Sequence, residues 1–220
     1  MDDEWYPSVT YTIADYALQD ANQKWPAQSI AANGAASPEE AVRSLAQAAL
    51  DADFRRVIEL LPPDEMGTLH DAGAVLLQEI AGETESAEIQ ITKLETDTKE
   101  VSGGTKVLLT ELEMRHKDET VSIRKDGDCY QTVAPDGETE RLCADDLAKE
   151  MTDDEDMPPA IGQAMTNLAS TMFRDGLGVV TVEVDGNHYL SPIRTFSELG
   201  LTALRGLQPE DIEALVKGDF

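Results

Sequence analysis

The chain has 220 residues, with a hydrophobic fraction of 41% and a charged fraction of 28%, a balance that suits a folded globular protein and excludes wholesale disorder. Acidic residues number 44 against 17 basic, a formal charge of -27. That field repels nucleic acid and anionic headgroups, so neither is an expected partner, and no apolar run approaches the roughly 18 residues of a membrane-spanning helix.

Residues 1–20 open on the aromatic stretch Trp5-Tyr6-Pro7, followed by a helical pattern through Ile13, Tyr16 and Ala17. Residues 21–36, rich in Ala, Asn, Gln, Ser and Gly, read as a linker. Ser37-Pro38-Glu39-Glu40 is a sharp helix start, with a capping serine, a proline at the first helical position and a glutamate that completes a capping box. Ala41, Val42, Leu45, Ala48 and Ala49 continue at helical spacing. Asp53 can cap a short helix carrying Phe54, Val57 and Ile58, which Pro62-Pro63 ends. A third helix carries Met66, Leu69, Gly73, Leu76 and Ile80.

From about residue 86 the hydrophobic period changes from 3.6 to 2. Ile89 and Ile91, then Val107, Leu109 and Met114, then Val121 and Ile123, then Tyr130 and Val133 predict an antiparallel meander of short strands. A short helix from Asp145 to Met151 precedes the acidic run Asp153-Asp154-Glu155-Asp156. That run lacks the spaced ligands and central glycine of a calcium loop, so a solvated linker is expected and no metal site. Pro158-Pro159 introduces a helix with Ile161, Met165, Leu168 and Met172 on one face. Val179 to Val184 is a strongly apolar strand, Asp185-Gly186-Asn187 a hairpin turn, and Tyr189 and Ile193 the return strand. Thr195 can cap a helix bearing Phe196, Leu199 and Leu204, and Pro209-Glu210-Asp211 opens a last one.

Cys129 and Cys143 are the only cysteines and flank the turn signal Ala134-Pro135-Asp136-Gly137. A disulfide across that turn is the expected state, with two free buried thiols or redox chemistry as alternatives. A disulfide implies an oxidising compartment. The acidic start Met1-Asp2-Asp3-Glu4 is the opposite of a basic export signal, so an exported form is expected to carry an upstream part.

The two ends of the chain echo each other. Asp2-Asp3-Glu4-Trp5-Tyr6-Pro7-Ser8 aligns with Asp185-Gly186-Asn187-His188-Tyr189-Leu190-Ser191, and without gaps Thr12 falls on Thr195, Ile13 on Phe196 and Leu18 on Leu201. Residues 1–20 are therefore read as the end of a preceding repeat or as an N-terminal extension, with coincidence in a common strand–helix grammar as the alternative.

The run Ser37-Pro38-Glu39-Glu40-Ala41-Val42, with Ala48-Ala49-Leu50-Asp51-Ala52-Asp53 and Val57-Ile58-Glu59-Leu60-Leu61-Pro62, resembles the opening of nuclear-transport-factor-2-like (cystatin-like) domains. Val182 to Pro192 is similar to that family's final hairpin. The resemblance implies an α+β fold over residues 37–220, a curved, cone-like antiparallel sheet packed against N-terminal helices; the helical insertion expected at 145–175 departs from the family's minimal pattern. It further suggests an actinobacterial membrane-anchored or lipoprotein-type extracytoplasmic protein, touching the membrane only through an upstream anchor.

Some members of that family are enzymes that use an Asp, His or Tyr inside the cone. Here Glu111, Glu113 and Glu183 fall on solvent-facing positions of strands, His70 reads as a partly exposed helix residue, and His116 and His188 flank turns. No nucleophile elbow, zinc-protease motif, phosphate loop or dinucleotide fingerprint is present. The expectation is a non-catalytic binding or scaffolding module of the cell envelope, without cofactor, whose partner is an envelope protein. The alternative is a carrier or sensor of a small apolar ligand in the cone, with Met66, Met114, Met165 and Met172 as adaptable lining.

Overall fold

The structure, a computed structural model, describes residues 8–80, 86–152, 166–167, 169–171, 173–206, 209–210 and 212–213. Met165, Met172, the acidic run at 153–156 and the aromatic start at 5–7 lie outside them, as do residues 153–165, 168 and 172 of the expected insertion. The fold is α+β. Helices α1 (Val9–Asp20), α2 (Pro38–Leu50), α3 (Phe54–Glu59) and α4 (Pro63–Ile80) come first. Strands β1 (Ile89–Val101), β2 (Gly104–His116), β3 (Glu119–Asp126), β4 (Cys129–Val133) and β5 (Thr139–Cys143) follow. Then come α5 (Ala144–Thr152), β6 (Gly178–Val184), β7 (Asn187–Leu190) and α6 (Pro192–Gly206). The described strands form one antiparallel sheet in the order β5-β4-β3-β2-β6-β7, with β1 on β2. The chain divides into two compact units, one of residues up to Ala87 with Glu183–Leu190, the other of Glu88–Val182 with the residues from Ser191 onward.

In the first unit the capping signals act as the sequence predicts. Ser37 Oγ accepts from Glu40 N at 3.2 Å, while the Glu40 carboxylate reaches back to Ala36 N at 3.2 Å. Asp53 accepts from Arg56 N at 3.0 Å and starts α3. The apolar faces meet at Ala41, Leu60 and Ala35, with Leu45 packed against them. Pro63 opens α4 directly after α3, and the chain departs from helical geometry at Met66, where φ is -113° and ψ 24°. The segment 21–36, expected as a linker, buries Ile30 and Ala35. Its backbone pairs with fixed partners: Ile30 N donates to His70 O at 2.8 Å, Asn33 N to Glu59 O at 2.8 Å, and Ala35 exchanges bonds with His188. Composition conceals this because the pairing is main-chain, and any side chain permits it. At Gly34 a Cβ would stand 2.7 Å from His188 O and 2.9 Å from the Tyr189 ring, so only glycine fits this crossing.

In the second unit β2 is the spine. It pairs β1 along one edge, and its other edge is shared between β3, opposite Glu111–His116, and β6, opposite Thr105–Leu108. Register shifts after Ile91 and Glu95 mark irregularities of the bulge type, which bend a strand. Gly178 and Gly104 allow the close approach of β6, since a Cβ at Gly104 would collide with Thr181 O and one at Gly178 with Val107 O. Tyr130, Ala144 and Phe173 make the core, with Ile123 and Leu147 against it. The Tyr130 ring meets Phe173 edge-on at 5.9 Å, and its hydroxyl accepts from Leu177 N at 3.0 Å. Burial pushes the Tyr130 phenol up from its ordinary value, and that bond opposes the shift.

A disulfide joins Cys129 and Cys143, directly opposed residues of β4 and β5 with Cα atoms 4.1 Å apart. The expected pairing stands, and with it the chemistry of an oxidising environment. The strand β5 that brings Cys143 back was not expected as a strand; its residues up to Leu142 are exposed, so it carries no apolar alternation to read.

Two expectations near the chain end are corrected. Ile193 belongs to α6 rather than to the return strand, because Pro192 already starts the helix. The cap is Ser191, whose hydroxyl accepts from Arg194 N at 3.1 Å. Thr195 instead donates to Ser191 O at 2.7 Å and accepts from Val180 N at 2.9 Å, which ties α6 to β6. Helix α1 opens by the same device: Ser8 Oγ accepts from Tyr11 N at 3.4 Å and Thr12 Oγ1 donates to Ser8 O at 2.9 Å. The echo read from the sequence is thus also an echo of local hydrogen bonding.

Candidate functional site

Helix α1 lies against α4 in the first unit, and its seating is polar at one side and apolar along the other. On the polar side Thr10 and Thr68 share a hydroxyl–hydroxyl bond of 2.8 Å. Tyr11 Oη donates to Asp71 at 2.6 Å, and Ser29 Oγ donates to the second oxygen of the same carboxylate at 2.5 Å. Those two donors, Ser29 first and Tyr11 second, hold the Asp71 carboxyl below the ordinary carboxylate value. The bond to Asp71 raises the Tyr11 phenol in turn. Trp25 stacks on Tyr11 with ring centroids 5.8 Å apart and donates its indole N–H to Asp15 at 3.1 Å. Gly67 leaves room beside the seam: a Cβ there would stand 3.3 Å from Tyr11 Oη, a tight contact that the ring would have to ease.

On the apolar side the two helices leave an open groove of about 360 Å³. From α1 it takes Ile13, Ala14, Ala17 and Leu18; from α4 it takes Met66, Leu69, Ala72, Val75 and Leu76, with Thr10, Thr68 and Glu65 as its polar lining. Ala14, Ala17 and Ala72 supply small side chains between larger ones, which is why the pair meets without filling the space between. The lips stay in water: Ile13 is 63% and Leu76 44% exposed, and Tyr16 and Val9 of α1 are 72% exposed. Leu18 is the one buried residue of α1.

Of the methionines expected to line a ligand site, Met66 lines this groove. Met114 sits on β2 in the second unit, opposite Ile91 and Val121. The groove therefore belongs to the helices of the first unit and draws nothing from the sheet. Sequence reading missed α1 as a wall of the site, although Ala14, Ala17 and Ala21 with Leu18 form a small-residue stripe at helical spacing.

His70 is not the partly exposed residue expected. It is 5% exposed, with Nδ1 2.8 Å from Ile30 O and Nε2 3.0 Å from Leu61 O. The ring sits between the carbonyls of residues 30 and 61, and the nitrogen that carries the proton donates to the one it faces. His188 is half-buried and joins Ala35 through its backbone. Glu111 pairs with Lys93 at 2.8 Å and Glu113 accepts from Thr92 at 2.6 Å, while Glu183 is exposed. Glu111, followed by Glu95, raises the Lys93 ammonium. No group of His, Cys, Asp and Glu among the described residues is arranged to hold a metal ion. No helix among them is long and apolar enough to cross a membrane.

No family model, curated protein or solved structure matches the chain.

Proposed function

We propose that the protein is a non-catalytic binding module of an extracytoplasmic compartment, and that the groove between α1 and α4 is its binding surface. The observation that carries this reading is an apolar groove of about 360 Å³ between two helices that a polar seam joins along one side. Apolar surface left in water is costly, at roughly 25 cal/mol per Å², so a persistent groove with exposed lips marks a place for a guest. The candidate general acids and bases are engaged in structure: Asp71 seats α1, His70 sits between two backbone carbonyls, and Glu111 holds a cross-strand pair. The disulfide supports the extracytoplasmic setting. The antiparallel meander and the Asp185-Gly186 hairpin support membership of the nuclear-transport-factor-2-like domains for the sheet.

A second reading, carriage or sensing of a small apolar molecule, is favoured by the groove's volume, which falls within the range of small-molecule sites. On that reading the ligand lies between helices rather than in the cone of the sheet. The test common to both is binding of Nile red, a neutral apolar dye. Wild-type protein should enhance and blue-shift its emission, and Ala17→Trp, which fills the groove from an exposed position, should abolish the effect. Equal enhancement by the two proteins would refute the assignment of the groove.

A further inference from the structure

Resting on the groove as the binding surface, we infer that its occupant is a basic amphipathic helix of a partner protein. Three features point there. The first is shape. Beyond the break at Met66 the lining runs along α4 from Thr68 to Leu76, just over two helical turns or roughly 12 Å at 1.5 Å per residue. A small-residue floor between two helices, flanked by larger apolar side chains, is the form that takes the ridge of a third helix. The second is what the lips expose. Ile13 and Leu76 stand in water on opposite walls, placed to clasp a helix laid between them. The third is charge. Glu65 is the charged residue of the groove's described lining, Asp20 and Asp64 are exposed on the same two helices, and neither α1 nor α4 carries a lysine or arginine. The whole chain carries -27. A guest helix with lysines or arginines beside its apolar stripe is attracted to this face, and an acidic one is repelled.

The partner's segment therefore needs apolar anchors at i, i+3, i+4 and i+7 and basic residues on the flanks. Contact of this size is small, so binding is transient. Specificity comes from the sign of the flanking charge and from the small floor residues.

The test uses the full chain with its disulfide formed and two synthetic 14-residue peptides. Both have leucine at i, i+3, i+4 and i+7 on an alanine background; one carries lysine on the flanks and the other glutamate at the same positions. Calorimetry should show the lysine peptide binding at least tenfold more tightly than the glutamate peptide, and weakening as salt is raised. Ala17→Trp and Ile13→Gln, both at exposed positions and checked for native circular dichroism, should each weaken the lysine peptide tenfold or more. Neither variant alters the net charge, so a purely electrostatic association would survive both.

Equal affinity for the two peptides, or retention of the lysine peptide by Ala17→Trp, overturns the inference. Nile red binding without either peptide overturns it too, and leaves the groove as a small-molecule site. Sedimentation showing self-association that Ala17→Trp removes would make a second copy of the chain the occupant, and would also overturn it. Failure of dye and peptides alike removes the groove assignment itself.

Discussion

Asp71 accepts from Ser29 and Tyr11 at once, and both bonds favour its charged form. A carboxyl held below its ordinary value stabilises the folded state above the unfolded value and loses that contribution as pH falls through the folded one. The Tyr11 phenol is shifted upward by the same bond, so its contribution is present below its ordinary value and disappears as pH rises. The docking of α1 should therefore be intact between about pH 5 and pH 9 and weaken on both sides. Trp25, stacked on Tyr11, reports it. In a Trp5→Phe background its emission should be flat over that window and change below about pH 4 and above about pH 10. Asp71→Asn should remove the acid limb and Tyr11→Phe the alkaline one. A signal that changes only with global unfolding in all three proteins would contradict the seam.

At the scale of elements, α2, α3 and their caps were legible because Ser37, Glu40 and Asp53 act within a few residues of themselves. The strands β1 to β4 were legible from alternation. The boundaries that failed were those decided by competition between adjacent signals: Ser191 with Pro192 starts α6 four residues before Thr195. The strand β5 failed because pairing with β4, not burial, makes it a strand. Its anchor is the disulfide, which closes a loop of sequence separation 14. In the chain-entropy model such a loop is worth about 3 kcal/mol. Replacing both cysteines by serine should lower the melting temperature by several degrees, and reduction of the wild type should reproduce the change. A melting temperature unmoved by either treatment would show that β5 is held without the bond.

For the whole molecule, sequence arithmetic gave an α+β fold without naming the site. The groove's two walls are separated by more than forty residues of chain, and its floor is alanine, the residue type least able to announce a function. Only the placing of Tyr11 against Asp71 and of Thr10 against Thr68 sets α1 beside α4 and leaves the space between them. Met66 lies in a cleft between helices, not in a cone of the sheet. The strong negative charge, read first as a bar to nucleic acid, is on this account also what selects the guest.

The most direct test of the groove as the binding surface is a titration followed residue by residue. Nitrogen-15-labelled protein is titrated with the lysine-flanked peptide, and in a second series with Nile red, and backbone amide shifts are recorded. The account predicts saturable shifts concentrated at Ala14, Ala17, Leu69, Ala72 and Val75, with the amides of β3 and β4 unmoved. Shifts centred on the sheet, or spread evenly over acidic surface with none at those five positions, would contradict it.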